Sequence, residues 1–485
     1  MMNCKGHITV FVSLMLCVII VLFTAVSSVV SHEAAKTKCL AALSTAESGI
    51  KADYNRYVYD RYHILLVDKD YYGRGEGELE KRIVTNLKKN LGKGYEVDQA
   101  SLSGATYLME NDFDEFKEQI KDYFLYEAAE YSIEELLSYI SDDNSLDEDD
   151  EEAMDEDVED GKENADDDSD DSDDDDEDYE EKKKRADIWK MKDPRPKIAL
   201  WALGGIQNLV KPLDIPYSRN TLELSELPSY GHTGIFKKKD INIRFDDYET
   251  LKDDARSKFS FTDEILSYGA ELTYIPSVFN AATDRKKVND TSYLYMEMEY
   301  LLAGQDTDQE NFSLAVHELL ALRFSANFVY ILTDSEKMEE LDLMATALTF
   351  YAEELQPLVK YYLAGAWSYA EAVTDLYRML HGSKVAFIKT YDNWKTDLDS
   401  IGDLAQMAGE KTDDEYGLDY KEYLMLLISL DMKSANYRMM DLMQTNSRYN
   451  GYYNFDITKA ITEFSVDVDI GWGAYHFSLN EETGF

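Results

Sequence analysis

The first pattern along the chain is an unbroken apolar run near its start. From Ile8 to Val30, ITVFVSLMLCVIIVLFTAVSSVV, 23 residues pass without a charge. As a helix rising about 1.5 Å per residue they reach roughly 34 Å, enough to cross a hydrocarbon core of about 30 Å. The run admits three readings: a cleaved secretion signal, a permanent anchor, or the assembly helix of a pilus-type subunit. A signal peptide has an apolar core of only about 7–15 residues, so length favours the anchor, although Ala25, Ser27 and Ser28 supply small residues of the kind found at cleavage sites. A lipoprotein is excluded, because Cys17 lies within the run and follows bulky Leu16.

Helical periodicity continues past the span. Ala35, Cys39, Ala42, Ala46 and Gly49 recur at alternating steps of four and three, a stripe of small residues on one helical face. Beside it run the bulkier Leu40, Leu43, Ile50, Tyr54 and Tyr57. Uninterrupted helix to Tyr62 would be roughly 80 Å long. Such a helix either packs against neighbouring subunits or lies on its own domain, and periodicity does not separate the two.

Further helices are predicted at ELEKRIVTNLKKNLGKG and FDEFKEQIKDYFLYEAAEYSIEELLSYI. Later, ENFSLAVHELLALRFSANFVYIL is apolar on most sides and reads as the central core helix. TDSE, Thr333–Glu336, reads as a capping box, opening a helix that carries Leu341 and Met344. PLVKYYLAGAWSYAEAVTDLYRMLHG, Pro357 to Gly382, has one apolar face, proline at its start and glycine past its end. Strict alternation in FSVDVDI, Phe464–Ile470, predicts a strand, and SYLYMEMEYLLAG and KVAFIKTY are shorter strand candidates.

The expected fold is therefore α+β and mostly helical. An N-terminal transmembrane helix continues into a long extracytoplasmic helix, followed by a large helix-rich outer domain with a few short strands. The segments are a cytoplasmic N-terminus (1–7), the anchor (8–30), a membrane-proximal helical segment (31–140), an acidic linker or insertion (141–186) and a helix-rich extracytoplasmic domain (187–485), the last packed with 31–140.

Charge sharpens this division. The chain holds 49 basic and 97 acidic residues, a net charge of −48. Asp142 to Glu181 alone carries 27 acidic residues and one lysine, more than half of that net charge. Such a run cannot bury enough apolar surface to offset chain entropy, and reads as a solvated tether. It lacks the glycine and closing glutamate of a spaced calcium loop. The overall charge argues against nucleic acid or an anionic bilayer surface as partner. It also places the acidic bulk outside the membrane, since Lys5 before the span and Lys36 and Lys38 after it do not decide orientation. With Cys4 before the span and Cys17 inside it, Cys39 is left alone in the outer part, so burial must hold that part together without an internal disulfide.

Candidate chemistry is sparse. HELLA, His317–Ala321, begins like a zinc-protease helix, but the second histidine position is Ala321. Glu297 and Glu299 would share one face of a strand, a pair that suits acid–base work or, more commonly, packing. Asp413, Asp414 and Glu415 read as loop charges. No nucleophile elbow, phosphate-binding loop or Cys/His cluster is present. No catalytic residue, metal or cofactor is expected.

The order of GHITVFVSLML, KADYNRYVYDRYHILLVD, ILSYGAELTY, YMEMEYLLAGQDTDQEN, LALRFSANFVYILTD, AWSYAEAVTDLYRMLHGSKVAFIKT, DYKEYLMLLISL and YRMMDLMQ resembles a family of uncharacterised bacterial single-pass membrane proteins related to the TadE/TadG-like minor pilins of tight-adherence (Flp-type) pilus systems. The resemblance covers most of the chain outside 141–186. It implies a pilus-associated, pseudopilin-like protein in the cell membrane, whose partners are the bilayer and other membrane-anchored subunits. Lys5-Gly6 before an apolar helix is similar to a prepilin-peptidase junction, which makes Gly6 a possible processing site. In typical pilins a glutamate stands five residues after the cut, where this chain has Phe11. An uncleaved anchor is therefore expected. The alternative is a free-standing surface binding or adhesion module, whose 36 tyrosines would supply contact area.

Overall fold

The computed structural model describes residues 5–75, 77–128, 215–233, 263–284, 291–350, 352–398 and 412–484. The acidic run Asp142–Glu181 lies outside them. The described chain forms two units, Met1–Ile120 with Met440–Phe485, and Lys121–Met439.

The first unit is built on α1 (Lys5–Lys51), a 47-residue helix. At about 1.5 Å per residue it is roughly 70 Å long. It ends sooner than the Tyr62 its periodicity suggested. A turn at Ala52–Asp53 breaks it, and Asn55 opens the separate short helix α2 (Arg56–Tyr62) by accepting a hydrogen bond from the Val58 amide. β1 (Val67–Asp68) follows, then α3 (Glu78–Leu91), which buries Leu79, Ile83, Leu87 and Leu91 on one face. α3 runs antiparallel to α1. Arg82 pairs with Asp53 at 2.8 Å, and a Cβ on Gly49 would stand 3.1 Å from Asn86 Nδ2.

After α3 come β2 (Tyr95–Tyr107) and α4 (Asp114–Ala128). The chain returns to this unit with β5 (Ala460–Trp472) and β6 (Tyr475–Gly484). β5 is central, antiparallel to both β2 (Val97↔Ile470) and β6 (Ile470↔Phe477), while β1 pairs with its first residues. The alternation expected of FSVDVDI holds. Phe464, Val466, Val468 and Ile470 point inward onto α1 and α3, and Ser465, Asp467 and Asp469 alternate with them.

The second unit holds α5 (Asp263–Val278), α6 (Glu297–Ala303), α7 (Asp308–Thr333), α8 (Ser335–Thr349), α9 (Gln356–Leu380) and α10 (Tyr420–Ile428), with a small β3 (Val385–Ala386) and β4 (Gly417–Leu418) ladder. α11 (Met432–Tyr449) closes the helical series and passes into the first unit's share of the chain at Met440. α7 is the expected core helix, buried along most of its length. Its apolar composition would let it cross a membrane by length alone, but two-thirds of its most apolar stretch is covered by its own unit. The cap of α8 lies one residue beyond the predicted Thr333: Asp334 accepts from the Lys337 amide. SYLYMEMEYLLAG is not a strand, because Glu297–Ala303 is helical, and KVAFIKTY contributes only Val385–Ala386. α6 ends on Gly304 at φ +65°, where Arg438 Nη1 donates to the Leu301 and Leu302 carbonyls. A Cβ at 304 would stand 2.6 Å from Arg438 Nε, so only glycine admits this cap.

Candidate functional site

The anchor candidate divides α1 into two halves of opposite character. From Thr9 to Val30 every residue is exposed, although the side chains are almost all apolar. This half is long and apolar enough to cross a membrane. From Ala35 onward the helix has a buried face. Ala35, Cys39, Ala42 and Ala46 are no more than 4% exposed, packed with Leu43 and Ile50 against the sheet and α3. Gly49 faces Asn86 of α3. The small-residue stripe is thus the seat of α1 on its own unit. Small side chains let backbone and sheet approach closely, and the close contact replaces bulk as the source of burial. Burial also pushes the Cys39 thiol above its ordinary value. Gly6 lies in the first turn of α1.

Polar contacts fix the helix along β6. Ser28 Oγ lies 2.7 Å from the Tyr475 hydroxyl, and the His32 ring packs against Tyr475 and Phe477 with centroids 5.0 and 5.1 Å apart. At the far end Lys51 Nζ donates to the Gly484 carbonyl. β6 therefore tracks α1 from the edge of the apolar run outward. Between these contacts Glu47 is buried, and burial, reinforced by Glu481 and opposed by Lys51, pushes its carboxyl up to about 7.

In the second unit, the residues singled out by sequence serve structure. Glu297 Oε2 accepts from the Asn280 amide at 3.0 Å, and Glu299 Oε1 accepts from the Ala282 amide at 2.8 Å and the Tyr420 hydroxyl at 2.9 Å. Both sit fully buried on α6, so they tie the irregular segment around 280–282 in place. Burial pushes Glu299 up to about 7, with Asp308 adding to the effect and the Ala282 and Tyr420 hydrogen bonds opposing it. Asp308 performs the same office at the start of α7, accepting from the Ser218, Tyr295 and Met296 amides. His317 bonds through Nδ1 to the Ser313 carbonyl one turn back. Among the described residues no group of three or more His, Cys, Asp or Glu side chains is placed to hold a metal.

Sequence reasoning missed the largest polar cluster. Between α7 and α9, Arg323 donates to Asp375 through Nε and Nη2, to the Phe387 carbonyl and to Tyr423. Lys389 bridges Glu371 and Asp375 at 2.7 Å each. Arg378 forks onto Asp414, which lies in a loop as read from sequence but with its side chain covered, 2% exposed. Burial works to raise the Asp375 carboxyl, but Lys389 and Arg323 hold it below its usual range; Arg378 does the same for Asp414. Arg323, Lys389 and Arg378 face Glu371, Asp375 and Asp414, and the partly exposed Lys395 comes within 3.8 Å of Asp414. The cluster's one sequence signal was charge inside an otherwise apolar helix face, Arg323 on α7 and Glu371 and Asp375 on α9.

A family profile described as a family of unknown function (DUF5702) matches residues 184–472, more than half of the chain. The chain belongs to this family. The DUF5702 match takes in the second unit's helices and the central strand β5 of the first, and stops short of β6. No curated protein and no solved structure matches the chain.

Proposed function

We propose that the protein is a non-enzymatic, membrane-anchored extracytoplasmic protein, an accessory pseudopilin-like component of a tight-adherence pilus or secretion assembly. The observation that carries this reading is the division of α1, with an exposed apolar half of membrane-spanning length joined without a break to a half seated on a sheet. That architecture leaves one surface of the helix for lipid and for the helices of neighbouring subunits. The resemblance to TadE/TadG-like minor pilins gives the assembly its class, and the net charge of −48 favours the bulk of the chain outside the membrane.

Because the stripe from Ala35 to Gly49 is occupied within the protein, contacts to other subunits fall on Ile8–Val30. Small residues there, Ser13, Ala25 and Ser27, permit close helix approach in lipid. A photocrosslinking residue at Leu14 or Val21 in living cells is expected to capture other small membrane-anchored subunits of the assembly, identified by mass spectrometry. The same residue at Cys39 should capture none. Crosslinks only to lipid would leave a free-standing surface module, the second reading, which the exposed Tyr230, Tyr391, Tyr416 and Tyr453 favour.

A further inference from the structure

We propose that the end of the sheet bearing Tyr95, Trp472 and Tyr475 rests in the headgroup region of the bilayer, so that the first unit is held to the membrane by its β5–β6 hairpin as well as by α1. This rests on the anchored reading of α1 and adds a second lipid contact.

The depth of the hairpin follows from its contacts with the helix. Ser28 lies two residues from the end of the uncharged run at Val30, and its hydroxyl is 2.7 Å from that of Tyr475. The Tyr475 ring is therefore level with the outer end of the span. Trp472 pairs with Tyr475 across the hairpin and stacks on it at 5.9 Å; Tyr95 pairs with Trp472 and stacks on its other side at 6.0 Å. The three rings form one continuous stack, each partly exposed, with the Gly473–Ala474 turn beyond them open to the surroundings. Phe477, one step further along β6, is already inside the core.

Tryptophan and tyrosine favour this depth because an apolar ring meets the acyl boundary while the indole N–H or hydroxyl stays wet. Charge plays little part. Lys38 Nζ lies 4.8 Å above the Tyr95 ring, and along the sequence Lys36, Lys38 and Lys93 are matched in number by Glu33, Glu96 and Asp98. The contact should accordingly need no anionic lipid.

The full chain reconstituted in phosphatidylcholine vesicles with bromine at defined acyl depths tests this. Tryptophan fluorescence should contain a component quenched by bromines near the carbonyl end, and Trp472→Phe should abolish it. Ala474→Trp in that background should restore it, which guards against a simple loss of folding. Protein that floats with the vesicles but shows the same quenching after Trp472→Phe overturns this inference and leaves the anchor intact. Protein that fails to float overturns both.

Discussion

At the scale of single residues, the second unit is organised by buried charge, and burial sets the pH response. Glu299 ordinarily titrates at 4.5, and in the folded chain burial moves it to about 7. Between those values the native state holds a proton that the unfolded chain has released, so the contribution of Glu299 to stability is complete below about 4.5 and is lost as pH rises through about 7. Glu47, near 7, and Asp68 and Glu318, near 6, act in the same direction, each chiefly through burial. Asp375 and Asp414 act oppositely and lose their contribution only as pH falls below the ordinary carboxylate range. The protein should therefore melt higher at pH 5 than at pH 8. Glu299→Gln, neutral throughout, should narrow that difference by on the order of 3 kcal/mol at most. Urea titrations of both proteins at the two pH values check this, and an unchanged difference would remove Glu299 from the account. The sequence showed Glu297 and Glu299 as an alternating acidic pair and suggested a strand. What alternation could not show is that a loop amide would bond to each carboxyl, which lets both groups sit at zero exposure on a short helix.

Elements were legible where one period dominates. Phe464–Ile470 alternates without interruption, and α7, α8 and α9 carry helical periodicity bounded by caps and punctuation. β2 escaped because its pairing with β5 shifts register after Val97 and again after Ser103, so Val97, Ala100, Leu102 and Ala105 fail to keep period two although all pack on the core. The small-residue stripe of α1 was visible, but its partner was not, since the same stripe suits another subunit or a sheet drawn from the opposite end of the chain. That ambiguity yields a prediction. Ala42 is buried in this core, and Ala42→Leu should destabilise the first unit by about 1–3 kcal/mol through overpacking. Hydrogen exchange should show lost protection in β5 and β2, whose inner residues share that core. Unchanged protection there, with weakened subunit crosslinking, would move the stripe to an intermolecular surface.

For the whole molecule, the family match places the chain among DUF5702 proteins without assigning a reaction, and among the described residues no group of three or more His, Cys, Asp or Glu side chains is placed to hold a metal. The functional account therefore rests on α1, a helix whose first half is left bare and whose second half is built into a domain. The most direct measurement is the N-terminal peptide of the protein isolated from its own cells, read by mass spectrometry alongside its partition between membrane and soluble fractions. A membrane-bound chain retaining Lys5-Gly6 and the run to Val30 is the predicted result. A soluble chain beginning beyond Ser27 would contradict the anchor.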